Sequence, residues 1–143
     1  MPPPAVIDTN VVLGGLLTHT PDSPLASIVD GMLQGRFPYL LSPRLLNEYR
    51  SVLRRPRIAE RHLLVEDQLE RLLVSFVVNA IWREGALLEA DVRAPDSGDD
   101  HLWALLRCQA GAVLVTGDRL LIERPPPFAS VLTPSAFVTL LGS

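Results

Sequence analysis

At 143 residues, with 48% hydrophobic and 20% charged side chains, the chain is sized for one domain spanning residues 1–143 around a single core. No apolar stretch reaches the ~20 residues needed to span a bilayer. Met1-Pro2-Pro3-Pro4 lacks a leader pattern and the lone Cys108 excludes an internal disulfide, which points to a cytoplasmic protein. The net charge of −3 argues against a generally basic nucleic-acid-binding surface, and all thirteen basic residues are arginine, so lysine-dependent phosphate loops and Schiff-base chemistry are excluded.

In chain order, residues 5–8 read as a short strand, and Thr9-Asn10 begins the loop after it. Ser23-Pro24 starts a helix, with serine as N-cap and proline at the first helical position. That helix carries Leu25, Ile28, Val29, Met32 and Leu33 at helical spacing and stops at Gly35. Tyr39-Leu40-Leu41 is a short buried strand, and Ser42-Pro43 repeats the serine–proline start for a helix reaching about Arg55. A short helix over residues 57–63 precedes a longer one over 65–78, and residues 79–88 leave room for a brief strand. Residues 93–98 form a polar loop, followed by a helix over 99–109 that is apolar nearly all round, in which Cys108 reads as a buried, inert thiol. Residues 112–116 and 130–132 are strands, and Thr133-Pro134 opens a final helix through Leu141. Apolar strands alternating with helices predict an α/β fold: a three-layer α/β/α sandwich around a mostly parallel sheet of four to five strands.

In such sheets ligands gather beyond the carboxyl ends of the strands, and Asp8 and Asp118 each directly follow a strand. Both also suit turns or helix caps. Glu48 lies just outside the apolar arc of Leu45, Leu46, Tyr49, Val52 and Leu53, and by itself reads first as a solvated glutamate paired with Arg44 or Arg55. Asp99 aligns with Leu102, Trp103 and Leu106 on a buried face, and equally suits an N-terminal cap. Asp100 suits a cap or solvent, and Asp96 a loop brace. Four convergent carboxylates would repel and raise one another's pKa values. A hard divalent cation removes the repulsion, and oxygen-only ligands select Mg²⁺ or Mn²⁺ over zinc. His19, His62 and His101 show no zinc spacing. His101 reads as a surface residue, with contact to substrate or leaving group as the alternative.

Four segments carry a resemblance. They are Val6-Ile7-Asp8-Thr9-Asn10, Ser42-Pro43-Arg44-Leu45-Leu46-Asn47-Glu48, Asp96-Ser97-Gly98-Asp99 with its apolar helix, and Leu114-Val115-Thr116-Gly117-Asp118. In this order, and over nearly the whole chain, they resemble the PIN-domain family of Mg²⁺-dependent nucleases, whose bacterial members include VapC-type toxins of toxin–antitoxin pairs. The resemblance implies a PIN-like fold and hydrolysis of RNA phosphodiester bonds with Mg²⁺ or Mn²⁺ as cofactor, leaving 5′-phosphate and 3′-hydroxyl ends. Asp8, Glu48, Asp99 and Asp118 would be the catalytic, metal-binding acids, with Asp8 or Glu48 also accepting the water's proton. Thr9, Asn10 and Thr116 would orient those carboxylates or a water, supported by Asp96 and Asp100. The most similar subgroup usually reads Asp-Pro-Asp-Asp where this chain has Asp96-Ser97-Gly98-Asp99, so Asp99 is the third ligand and Asp100 its substitute. A toxin of a type II pair further implies an RNA substrate, a cognate antitoxin and a homodimer, with no membrane. Arg44, Arg50, Arg54, Arg55, Arg57 and Arg61 form the densest basic stretch and, with Arg119, suit phosphate contacts as well as an ordinary solvated surface. The competing readings are a catalytically degenerate PIN-like module that binds RNA or protein, and a receiver-type domain, for which the required lysine is missing.

Overall fold

The computed structural model describes residues 1–142. Its centre is β1 (Ala5–Ile7), fully buried, paired in parallel with β4 (Val113–Val115) so that Ile7 lies opposite Val115. β4 pairs in parallel with β5 (Ser130–Leu132) on its other side. β2 (Leu40–Leu41) and β3 (Ile81–Trp82) form a second parallel pair. A parallel bridge from Ala5 to Tyr39, with the Ala5 amide donating to the Pro38 carbonyl at 3.0 Å, sets that pair beside β1. The expected mostly parallel sheet of four to five strands is therefore present as five strands, three plus two, in spatial order β3-β2-β1-β4-β5. The chain winds from β1 to β2 on one flank and returns as β4 on the other. This reversal is a topological switch point, and in such sheets ligands sit in the crevice outside the carboxyl ends of the strands there, here β1 and β4.

Helices flank the strands. α2 (Pro24–Gln34), α3 (Pro43–Leu53) and α8 (Pro134–Leu141) begin as the sequence predicts, because Ser23, Ser42 and Thr133 accept from the amides of Ala26, Leu45 and Ala136 and proline fills the first turn. α2 ends at Gly35, whose φ of 66° is the left-handed conformation that glycine adopts without strain. α4 (Pro56–His62), α5 (Glu66–Asn79) and α6 (Asp100–Arg107) complete the expected set, with a 3-10 turn (Ser97–Asp99) leading into α6. Cys108 is half-buried, and its thiol donates to the Ala104 carbonyl.

Two helices depart from the sequence expectation. The segment taken for a loop after β1 is α1 (Thr9–Leu17), and α7 (Arg119–Glu123) follows β4. Gly14-Gly15 weakens helix propensity, but the pair serves packing. A Cβ on Gly15 would lie 2.4 Å from Val29 Cγ2 and 2.5 Å from the Leu25 carbonyl oxygen, so α1 rests against α2 at backbone distance.

α3 is anchored where it matters. The buried Tyr49 hydroxyl donates to the Ile7 carbonyl at 2.5 Å, tying the helix to the end of β1. Burial pushes the Tyr49 pKa well above the usual phenol value, so the group stays a donor. Its neighbour Glu48 is thereby brought toward the carboxyl edge.

Candidate metal centre

Asp8 follows β1 and is only 7% exposed, and its amide continues the strand ladder to the Val115 carbonyl at 3.0 Å. Its Oδ1 accepts from the Thr9 amide at 2.8 Å, capping α1. Its Oδ2 accepts from the Thr116 hydroxyl at 2.7 Å and from Asn10 Nδ2 at 3.1 Å. Thr116, fully buried, also accepts from the Asp118 amide at 3.0 Å and from Asn10 Nδ2 at 3.3 Å, so its hydroxyl is saturated. Asn10 completes the circuit by accepting from the Gly117 amide at 3.0 Å. Desolvation raises the pKa of Asp8, opposed by these hydrogen bonds. The ends of β1 and β4 are thus sewn together by Asp8, Asn10 and Thr116.

Asp118 caps α7 through Oδ1, which accepts from the Leu120 amide at 3.0 Å, and its side chain is exposed on the edge of the crevice. The capping roles read from the sequence for Asp8 and Asp118 are therefore real, and they coexist with a shared location.

Glu48 is not the solvated partner of Arg44 or Arg55. Its Oε2 accepts from the Thr9 hydroxyl at 2.9 Å, and its Oε1 bonds His101 Nε2 at 3.1 Å. The His101 hydrogen bond, more than any other influence, holds its pKa below the usual glutamate range, with Arg44 a minor longer-range contributor. His101 is likewise no surface residue, since its side chain is 11% exposed. Nothing in its spacing to other histidines could have signalled this. The only hint was its place two residues after Asp99.

Asp99 occupies the N-cap position of α6, yet its side chain makes no capping hydrogen bond. Among the described residues its carboxylate has neither hydrogen-bond nor ion-pair partner. Desolvation, then Asp8, Asp96, Asp118 and Glu48 in turn, raise its pKa to about 6. The bracing falls to its neighbours. Asp96 accepts from the Gly98 amide at 2.9 Å, and Asp100 Oδ1 accepts from the Ala94 amide at 2.8 Å while Oδ2 faces Arg93 at 3.8 Å.

Of the four expected acids, Asp8, Glu48 and Asp118 therefore all act on Asp99, which is their electrostatic focus. Among the described residues, no three carboxylate, imidazole or thiol groups already form a closed metal cage. In donor chemistry the residues fit a hard cation. They offer oxygens only, they carry concentrated negative charge, and one carboxylate has no other partner.

The expected arginines divide in two. Arg50 pairs with Glu70, and Arg54 with Glu66 and Glu70. Arg44, Arg55, Arg57 and Arg61 are exposed without an ion pair among the described residues, and Arg119, 90% exposed, reaches Glu123 only at 3.8 Å.

A parallel α/β fold whose carboxyl edge opens onto clustered oxygen-donor acids is the class of protein defined here. Residues 4–120 match the PIN domain model, and the chain therefore belongs to the PIN-domain family, whose members are generally nucleases. Among solved structures, the PIN domain of T. brucei RRP44 is similar over 97% of this chain and 80% of its own, with 18% identity and a TM-score of 0.46. No curated protein matches the chain.

Proposed function

We propose that the chain is a ribonuclease that uses Mg²⁺ or Mn²⁺, held by Asp8, Glu48, Asp99 and Asp118. The observation that carries this reading is Asp99, a partly desolvated carboxylate without a partner and surrounded by four other acids. A divalent cation offsets that charge. When bound, it polarises the scissile phosphate and lowers the pKa of an attacking water. The chain's own residues do the rest. Thr9, Asn10 and Thr116 hold Asp8 in one orientation, and Asp8 or Glu48 accepts the water's proton. Asp96 and Asp100 brace the loop that presents Asp99. Because the acids do not form a closed cage, a bound cation would have to draw them together, and the Asp99 carboxylate would have no hydrogen bond to give up in doing so.

An acidic crevice repels a polyanion unless cations grip it from the side. Arg44, one helical turn before Glu48 and felt by it, fits this task best, with Arg55 also available and Arg119 held only by its long contact to Glu123. Arg50 and Arg54 reach a phosphate only by releasing Glu66 and Glu70. The finer reading is the toxin of a type II toxin–antitoxin pair, cytoplasmic and homodimeric, with a cognate antitoxin covering the site. It is supported by the resemblance to VapC-type toxins. Leu63, Val65, Val78 and Leu87 are exposed by 79, 63, 74 and 97%, which leaves apolar surface for partners to cover. No helix among the described residues is long and apolar enough to cross a membrane.

The test compares RNA cleavage by wild type, Asp8→Asn and Asp118→Asn across an Mg²⁺ titration. Both variants are expected to lose more than about 100-fold in rate. Equal cleavage by all three removes the metal-site reading. No cleavage by any, with no Mn²⁺ bound by the wild type, favours a degenerate binding module.

A further inference from the structure

We infer that His101 is a positioning residue for Glu48, holding the carboxylate from α6 while Thr9 holds it from α1. This rests on the metal-site reading above and adds to it the device that sets the geometry of the ligand with the longest side chain.

Glu48 starts on α3 and has three side-chain torsions to fix, and its side chain is 31% exposed. Left alone it would be distributed over several rotamers. Two donors from two other helices stop this. Thr9 Oγ1 donates to Oε2 at 2.9 Å, and His101 Nε2 meets Oε1 at 3.1 Å. An ionised carboxylate only accepts, so Nε2 carries the hydrogen. One donor on each oxygen fixes the plane of the group and leaves each oxygen a further lone pair facing the crevice.

Packing alone does not explain a histidine at this position. Its Nδ1 is buried with no hydrogen-bond partner, a cost that an apolar side chain of similar size avoids. What an apolar side chain lacks is the Nε2 donor to Glu48. His62 makes the contrast, because it is satisfied on both nitrogens by backbone. There Nε2 meets the Leu53 carbonyl at 2.8 Å and Nδ1 accepts from the Leu64 amide at 2.9 Å, which is a brace between α3 and the end of α4.

Position adds the second half of the argument. His101 lies in the first turn of α6, two residues after Asp99, on a helix whose Leu102, Trp103, Leu105 and Leu106 are locked in the core. α6 therefore carries one acid of the crevice and grips another. The separation of Asp99 and Glu48, which come from segments 51 positions apart in the sequence, is set through one rigid element rather than two independent ones.

The test measures Mn²⁺ affinity of the intact chain by electron paramagnetic resonance, without RNA, for wild type, His101→Leu and His101→Gln, alongside melting temperatures. His101→Leu is expected to bind Mn²⁺ about 10- to 100-fold more weakly. His101→Gln, whose amide nitrogen ends at the same remove along the side chain as Nε2, is expected to recover most of that loss. In a Glu48→Gln background, His101→Leu is expected to have little further effect. A long-range ¹H–¹⁵N spectrum of the wild type is expected to show His101 with its hydrogen on Nε2, a readout that needs no variant to fold. Equal Mn²⁺ affinity in wild type and His101→Leu, or a glutamine variant no better than leucine, overturns the inference while leaving the metal site intact. A wild type that binds no Mn²⁺ overturns both together.

Discussion

Between α3 and α5, Arg50 and Arg54 meet Glu66 and Glu70 on an exposed face, each charge beside its opposite. At the carboxyl ends of β1 and β4, four acids act on Asp99, and the hydrogen bonds to the Asp8 and Glu48 carboxylates come from neutral donors and one histidine. The first arrangement is complete as it stands. Opposite charges in water neutralise each other and add little net stability. The second is incomplete: its hydrogen bonds orient the carboxylates without cancelling their charge, and the Asp99 carboxylate has no partner among the described residues. The difference separates a surface whose charges are already balanced from a cluster whose charge is left uncancelled, which is where the proposed cation would act.

The sharpest way to break this comparison is to cut the circuit that joins the strands. Thr116→Val keeps the shape of a fully buried side chain but strands the Asp118 amide and leaves Asp8 Oδ2 and Asn10 Nδ2 only their bond to each other. Urea denaturation is expected to show a loss of about 1–3 kcal/mol. Cleavage is expected to fall about 10- to 100-fold, since Asp8 loses its shortest hydrogen bond. Unchanged stability would mean that the circuit does not hold the crevice.

Proton and cation should compete at Asp99. Its folded pKa of about 6 lies above the ordinary 3.8, so the folded chain takes up the proton more readily than the unfolded one. That contribution to stability is fully present below about pH 4 and is lost as pH rises through 6; Asp8, also raised, acts in the same direction. Thermal melts are therefore expected to show Mg²⁺ raising the melting temperature more at pH 7 than at pH 5. Asp99→Asn should flatten that dependence. An Mg²⁺ effect equal at both pH values would separate the cation from these carboxylates.

The smallest effect belongs to the balanced surface. Arg54→Ala is expected to change stability by less than about 1 kcal/mol, by an amount that shrinks further in high salt, and to leave cleavage near wild type. A large rise in KM for RNA would instead show that Arg54 leaves its glutamates to grip the phosphate backbone.

Features with local causes were legible in the residues. Ser23-Pro24, Ser42-Pro43 and Thr133-Pro134 mark helix starts because cap and first turn are neighbours in the chain. The strands 5–8, 112–116 and 130–132 were visible as apolar runs, and Asp8 and Asp118 followed from them. α1 was hidden because two glycines look like a loop until Leu25 and Val29 are laid against them. Glu48 and His101 were misread singly, one as solvated and paired with arginine and the other as surface, because each takes its role from the other.

The sequence by itself determined the parallel α/β class, the order of most elements and the candidate acids, since these follow from periodicity, caps and the positions of charges after apolar runs. Only the tertiary structure decided what each acid does. Asp8 and Asp118 spend one oxygen on a cap, Asp100 braces a loop, and Asp99 stands at a cap position without capping. The physical reason is that a carboxylate's role depends on which donors and charges surround it. Those neighbours, 39 to 108 residues away along the chain, meet only when the sheet and its helices have packed.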